Sequence, residues 1–553
     1  MSSDLATVEP SARPLLRILA QCPRRLLVLA LCTSITGAAA GIGMVASVNE
    51  ALAGRHDPQQ LAAVFVTCAV AGLCARILGG VLFAQLGEGV LLDIRRRLAA
   101  RVSAAEFRRV EALGASKVQS VMTDDAASVS DFLVFFPNIV MNAAIVTGCL
   151  AYLAWTSVLA FALALLTVLG GSLVFSLGHA RALRELDRAG IAQDELFAHF
   201  DSLFTGAKEL KLNRERAEAF LLHSLERSVE EARTHRLRGL RIYIVSASSA
   251  LFLVHALVGS LTFFAGAVGA GSTIIFLYLM MPLDVVLNNL PKAQQARVSI
   301  QRIDRVLASL STPEPILARA SSCSFHELTL TDVRHRYYRE AEDGMFELGP
   351  IDLSFRPGEI TMLVGGNGSG KTTLAKVLVG LYRPDAGTVA IDGQVVGDAD
   401  RDRQRRLFSA VFSDFHLFPT LAGLGQAGRL DGALDDQANA LIEKLQLSAK
   451  VSVTNGILST RALSSGQRKR LALVVAYLED RPFYLFDEWA ADQDPAFREV
   501  FYRTLLPELR QRGKAVIAIS HDDRYFDVAD RLLKLESGAL VEPEPRRKLL
   551  VSA

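Results

Sequence analysis

Net charge is nearly absent from this chain of 553 residues, since 60 Lys and Arg against 58 Asp and Glu leave +2. That balance gives no electrostatic footprint for a nucleic-acid partner. Cysteine is sparse too. Cys22, Cys32, Cys68, Cys74, Cys149 and Cys323 are scattered without paired or metal-ligand spacing, and they read as reduced structural thiols. Polar residues are missing from long stretches. Within the apolar runs described next, the few polar side chains include Arg76, His255, Asp284 and Asn288. A charge in lipid is costly, so each faces a cavity or partner helix, or else makes a packing contact or snorkels near a helix end.

What is there is apolar: 50% of residues are hydrophobic and 21% charged. Runs at 26–48, 61–86, 132–154, 158–177, 242–265 and 273–290 each approach the ~20 residues that a spanning helix needs. They predict six spans. Arg13, Arg17, Arg24 and Arg25 precede the first, and small residues at Ala38–Ala40 also fit a cleaved signal peptide. The length of that run favours a retained span.

The connections are unequal. Segments 49–60, 155–157 and 266–271 are short and hold one basic residue, Arg55, whereas 87–131 and 178–241 are long and rich in Arg and Lys. The positive-inside rule places the long ones, and both termini, in the cytoplasm. Leu91, Ile94, Leu98 and Val102 recur at helical spacing, so the second span is expected to run on as helix through Arg95–Arg97, and the fourth through Leu183 and Leu186. Ser311-Thr312-Pro313-Glu314-Pro315 breaks the pattern after the sixth. The expected organisation is an all-α six-helix transmembrane domain over 1–310, a linker over 311–322 and an α/β domain over 323–545.

The α/β domain carries the chemistry. An apolar strand at 360–364 leads into Gly365-Gly366-Asn367-Gly368-Ser369-Gly370-Lys371-Thr372, with Thr373 opening a helix. Glycines let successive backbone N–H groups turn around phosphate oxygens, Lys371 adds a mobile positive charge, and the Thr372 hydroxyl can ligate magnesium. The following helix aims its N-terminus at the anion. Downstream, Asp487 and Glu488 close the apolar strand Phe483-Tyr484-Leu485-Phe486. Alone, such a pair would pass as a solubilising strand end. Below a phosphate loop, Asp487 can hold magnesium through water and Glu488 can polarise a water against the γ-phosphate. His521 follows the strand 515–520 and can contact the γ-phosphate or hold that water. The turn Leu463-Ser464-Ser465-Gly466-Gln467 opens a second helix and makes a second anion site.

Together these motifs resemble the ATP-binding cassette domain, and the whole chain resembles a half-size ABC exporter. The resemblance identifies 365–372 as Walker A, Asp487 with Glu488 as Walker B and catalytic carboxylate, and 463–467 as the signature. It identifies His521 as the switch histidine, Ala491-Asp492-Gln493-Asp494 as the D-loop and Tyr337 as the adenine-stacking aromatic. The signature has Ser465 where glycine is usual, and Ser413, beside Asp414, stands where the family has a glutamine that touches the metal and relays to the membrane domain. The stretches 408–418, 206–213 and 486–495 further resemble the bacterial cyclic-peptide and siderophore exporters, which include exporters of pyoverdine precursors, syringomycin-type lipopeptides and a microcin lasso peptide.

The resemblance implies ATP with Mg2+ as cofactors and a homodimer in which ATP is sandwiched between one chain's Walker A and the other's signature. It also implies helical turns near 110–125 and 204–213 that carry motion to the spans. The expected activity is ATP-driven export of a peptide-derived metabolite through the bacterial inner membrane. A lipid or drug exporter, and a membrane ATPase that regulates a partner without moving cargo, are the competing readings.

Overall fold

The computed structural model of the chain describes residues 22–52, 57–264, 269–310, 325–339, 344–398, 400–424 and 432–541. Arg13, Arg17, Arg55, the linker at 311–322 and Cys323 lie outside them. Two compact units are present, one of Met1–Ala99 with Ser116–Val306 and one of Ala100–Ala115 with Leu307–Ala553.

The first unit is helical. Its elements are α1 (Arg24–Leu52), α2 (Pro58–Ala104), and, beyond the short α3 (Phe107–Leu113), α4 (Ala115–Ser120), which passes through a π-helical turn into α5 (Ala126–Thr156). Then come α6 (Val158–Thr205), α7 (Ala207–Leu212), α8 (Arg214–Ala219), α9 (Glu226–Phe264) and α10 (Gly269–Ser309). Ser157 makes the break between α5 and α6: its backbone is extended and its hydroxyl accepts from the Ala160 N–H at 3.3 Å. Asn213 caps α8 in the same way, accepting from the Arg216 N–H at 2.9 Å.

Among the described residues five helical stretches are long and apolar enough to cross a bilayer: Arg24–Ala51, Pro58–Ala104, Lys117–Thr156, Val158–Thr205 and Arg214–Ser260. They contain the first four expected spans and most of the fifth, whose last residue lies outside the described residues. The sixth expected run lies in α10, where the described apolar part, Ile274–Asn289, is shorter. The second and fourth spans do run on as single helices of 47 and 48 residues. Close approach at glycine, the usual basis of helix packing where lipid removes the hydrophobic driving force, is tightest at two positions among the described residues of this unit. A Cβ on Gly178 would fall 1.7 Å from the Ser246 hydroxyl, and one on Gly148 would fall 2.1 Å from Ile42.

The second unit holds two main sheets. Strands β1 (Leu328–Arg339), β2 (Gly344–Phe355), β4 (Ala386–Ile391) and β5 (Gln394–Val395) form an antiparallel sheet in the order β2-β1-β4-β5. The larger sheet uses β3 (Ile360–Val364), β6 (Phe408–Val411), β9 (Phe483–Asp487), β10 (Ala515–Ile519), β11 (Arg531–Glu536) and β12 (Ala539–Val541) in the order β12-β11-β3-β10-β9-β6. A small hairpin of β7 (Val453–Thr454) and β8 (Ile457–Leu458) stands apart. Strands β9 and β10 are buried at every position, as continuous apolar runs in a parallel sheet require. Helices α11 (Lys371–Leu378), α12 (Arg401–Arg405), α13 (Gly432–Lys444), α14 (Ser465–Glu479), α15 (Pro495–Val500) and α16 (Leu506–Gln511) complete the unit. Apolar cores built around Leu363 and Leu374 on one side and Met362 and Leu471 on the other cover the large sheet.

Helix α3 belongs to this unit and packs on α11 and its neighbours. Gly114, at φ 75°, ends it in a conformation open to glycine. The Phe107 ring lies 6.2 Å from that of Tyr382, and the Lys376 ammonium lies 5.4 Å from the Phe107 ring and 2.8 Å from the Glu111 carboxylate. The Tyr382 hydroxyl also donates to Glu111. Arg108 donates to the Arg336 carbonyl at 2.9 Å, and Arg401 approaches Glu106 at 3.6 Å.

Candidate nucleotide site

The loop between β3 and α11 depends on glycine at two positions. A Cβ on Gly365 would lie 2.2 Å from the Leu535 carbonyl oxygen, and Gly370 holds φ 102° with the Phe346 ring 3.2 Å from where its Cβ would be. Lys371 is buried and its ammonium donates to the carbonyls of Gly365 and Gly366 at 3.0 and 2.8 Å, so the charge stands at the mouth of the loop. Burial lowers the pKa of Lys371 against the opposing pull of Glu488 and Asp487. The buried Ser369 hydroxyl has no protein partner. An orphaned donor inside a cradle of N–H groups suits a phosphate oxygen.

Thr372 and Asp487 meet: the hydroxyl donates to the carboxylate at 3.0 Å. Burial raises the Asp487 pKa, the Thr372 hydrogen bond lowers it, and the negative charges of Glu488 and Asp414 raise it further. A hydroxyl and an anionic oxygen side by side are the donor set expected for Mg2+, which keeps most of its coordination for water and phosphate. Among the described residues no three His, Cys, Asp or Glu side chains group to hold a metal by themselves. The sequence order conceals one feature. Strand β9 is not the neighbour of β3; β10 lies between them, parallel to both. The carboxylate thus reaches Thr372 from two strands away.

Glu488 follows Asp487 in a left-handed conformation, φ 49° and ψ 34°. Its carboxylate lies 3.2 Å from His521 Nε2 at the end of β10. The two line a cavity of about 320 Å³ together with Ala491, Arg498, Ser520 and Asp522. Such a pair can hold a water between a carboxylate and an imidazole. Tyr337 is half-buried on β1, with its ring 5.2 Å from that of Phe346, the side chain that abuts Gly370.

The signature turn is a complete capping box. The Gln467 N–H donates to Ser464 Oγ at 3.3 Å and the Ser464 N–H donates to Gln467 Oε1 at 3.1 Å, an arrangement worth ~1 kcal/mol to the helix start. Ser465 donates to Asp492 at 3.0 Å, and the Gly466 carbonyl accepts from Gln493 at 3.0 Å. Asp494 caps α15 through the Phe497 N–H at 2.9 Å and pairs with Arg470. Among the described residues no hydrogen bond or ion pair joins this turn to residues 365–373. Thr373 is buried in the first turn of α11.

Two residues absent from the motif reading hold the loop that carries Glu488. The Lys469 ammonium is buried, donates to the Glu488 carbonyl at 3.0 Å and pairs with Asp492 at 2.9 Å. Arg498 donates to the carbonyls of Gln493 and Ala491 at 3.0 and 3.2 Å. Lys469 was legible in principle, since it shares the buried face of α14 with Ala472, Leu473 and Ala476, where a lysine demands an anionic partner.

The sequence pattern of the ABC transporter family matches residues 348–491. The chain is 35% identical to the ATP-binding protein SyrD of Pseudomonas syringae pv. syringae, over 96% of this chain and 97% of that one. It is 26% identical to an ATP-dependent lipid A-core flippase of Paraburkholderia xenovorans, over 88% of this chain and 84% of the flippase. The structure of a bacterial Atm1-family ABC exporter with ATP bound has the same fold, at TM-score 0.73 and 18% identity over 94% of both chains.

Proposed function

The chain belongs to the ABC exporters as a half-size member, in which ATP hydrolysis is coupled to transport, and we propose that two copies form a homodimer that exports a peptide-derived metabolite. The observation that carries the catalytic assignment is the meeting of Glu488 and His521 at 3.2 Å beside the Thr372–Asp487 pair. In this reading residues 365–373 cradle the phosphates, Lys371 neutralises the terminal ones, and Tyr337 stacks on the adenine. Mg2+, held by Thr372 and Asp487, would supply charge neutralisation between the phosphates. Glu488 orients the attacking water and His521 touches the γ-phosphate, so that water and ATP give ADP and inorganic phosphate.

The signature residues Ser464, Ser465, Gly466 and Gln467, with Asp494, serve the ATP of the partner copy. Ser464 and Gln467 bond each other, and Ser465 and Gly466 bond Asp492 and Gln493, which leaves the open end of the turn for a facing chain. The membrane domain spans 1–310 and the cassette 323–545, joined by 311–322. The protein resides in the bacterial inner membrane in this reading, and the basic long connections support cytoplasmic termini.

A peptide cargo is supported by the stretches 408–418 and 486–495 and by likeness to SyrD along the whole chain. Likeness to a lipid A-core flippase over 88% of the chain favours a lipid as the second reading. ATP-dependent accumulation in inverted vesicles decides between them. Wild type should accumulate a peptide and Glu488→Gln should not; accumulation of lipid alone overturns the peptide reading, and ATPase activity without any accumulation favours a regulator. Light scattering of the purified protein, expecting twice the 59.9 kDa chain mass, tests the dimer.

A further inference from the structure

Asp284 lies in the apolar part of α10, Ile274–Asn289, and its side chain is exposed. It is also held in place. Asn288, one turn on, donates its amide to Asp284 Oδ1 at 2.8 Å, and its own oxygen accepts from the Tyr243 hydroxyl of α9 at 2.6 Å. Tyr243 thus fixes the orientation of the amide, and the amide fixes the carboxylate. Among the described residues no basic side chain lies within 4.0 Å of that carboxylate. Lys292, one turn beyond Asn288, places its ammonium 3.2 Å from the Phe135 ring centroid instead.

A second observation points to the same place. His179 of α6 is 8% exposed, and neither ring nitrogen has a hydrogen-bond partner. It stacks on Phe175 at 5.4 Å and meets Tyr243 edge-on at 6.2 Å, while Phe175 meets Tyr243 at 6.0 Å. The Phe175 ring, the unsatisfied buried His179 ring and the aligned carboxylate are therefore joined through Tyr243. An anionic group in a membrane segment is retained where a counter-charge arrives. The Tyr243 ring, one hydrogen bond beyond the amide that holds the carboxylate, favours an organic cation over a hydrated metal ion.

We propose that Asp284, aligned by Asn288 and through it by Tyr243, whose ring packs on Phe175 and His179, forms the subsite that takes an ammonium or guanidinium group of the exported peptide. This rests on the peptide-export reading above. The cargo class is thereby narrowed to peptides with a free amine or guanidine, the carboxylate pairing with the cation and the Tyr243 ring covering its alkyl stem. A basic residue of a second copy, seated on Asp284, is the competing occupant and would make the pair structural.

The test uses the full chain in inverted proteoliposomes with two probes, a fluorescent cyclic hexapeptide bearing one lysine and the same peptide with that amine acetylated. Wild type should half-saturate with the amine at a concentration about tenfold lower than with the acetylated form, as a charge-assisted hydrogen bond allows. Asp284→Asn should erase that preference, Asp284→Glu should keep it, and Tyr243→Phe should weaken it without changing the acetylated peptide. If wild type moves neither peptide, the export reading fails and this subsite with it. If wild type moves both alike, or Asp284→Asn keeps the preference, or Asp284→Asn and Asp284→Glu lower both peptides equally, the subsite is overturned and the export reading stands.

Discussion

The ammonium of Lys376, on the helix that follows the phosphate loop, lies 2.8 Å from the carboxylate of Glu111 on α3. Burial alone would lower the Lys376 pKa, and the Glu111 hydrogen bond raises it past its ordinary value. Helix α3 begins three residues after α2 ends. The pair thus ties α3 to the helix that follows the phosphate loop without using Ser413. We expect Lys376→Met and Glu111→Gln to cut cargo moved per ATP hydrolysed by about tenfold, while costing at most ~1 kcal/mol of stability. Exchange of the two charges should restore coupling in part. The check is transport and ATPase measured on the same proteoliposomes.

The phosphate site makes a plain demand. Lys371→Ala should lower hydrolysis by more than about a hundredfold, as should Glu488→Gln, which should still bind nucleotide. Steady-state ATPase with a fluorescent-nucleotide titration separates the two. Undiminished turnover in Lys371→Ala would remove the assignment of the site.

Lys469 is expected to position Glu488. Lys469→Met should lower kcat more than it raises KM and should cost about 1–3 kcal/mol, because the Glu488 carbonyl loses one of its donors and Asp492 its ion-pair partner. Asp492, whose pKa is held below 3.8 chiefly by the Lys469 hydrogen bond, gives its stabilisation above that pH and loses it as pH falls through the folded value. Asp492→Asn should therefore match wild type in melting temperature at strongly acid pH and fall below it at neutral pH.

Glu479 carries the opposite sign. Burial raises its pKa above 4.5, so its contribution to stability is full below that value and is lost as pH rises through the folded pKa. Glu479→Gln should melt higher than wild type at pH 7, with the gain shrinking toward about pH 4.5. Thermal unfolding of detergent-solubilised protein across that range decides it.

The phosphate loop could be read from sequence because its requirement is local: Gly365 and Gly370 answer backbone geometry and close contact at their own positions. The long helices were legible for the same reason. What escaped is non-local. Glu111 and Lys376 are 265 residues apart, and no periodicity links them. Lys469 and Asp492 belong to different motifs whose packing brings them together. The insertion of β10 between β3 and β9 depends on sheet order, which chain order does not encode. The sixth apolar run was visible as composition, whereas the pairing of Asp284 with Asn288 and Tyr243 needed the neighbouring helix.

The position of β10 has a mechanical corollary. Hydrogen-bonded along both edges, it cannot slide without dragging the strand that leads to the phosphates or the strand that ends in the acidic pair. His521, two residues past its end, therefore registers displacement of either side. A bulkier residue at the buried Ala518 should blunt sensing of the nucleotide and alignment of the water in one stroke, where any change to a single flanking strand would spare half of that machinery.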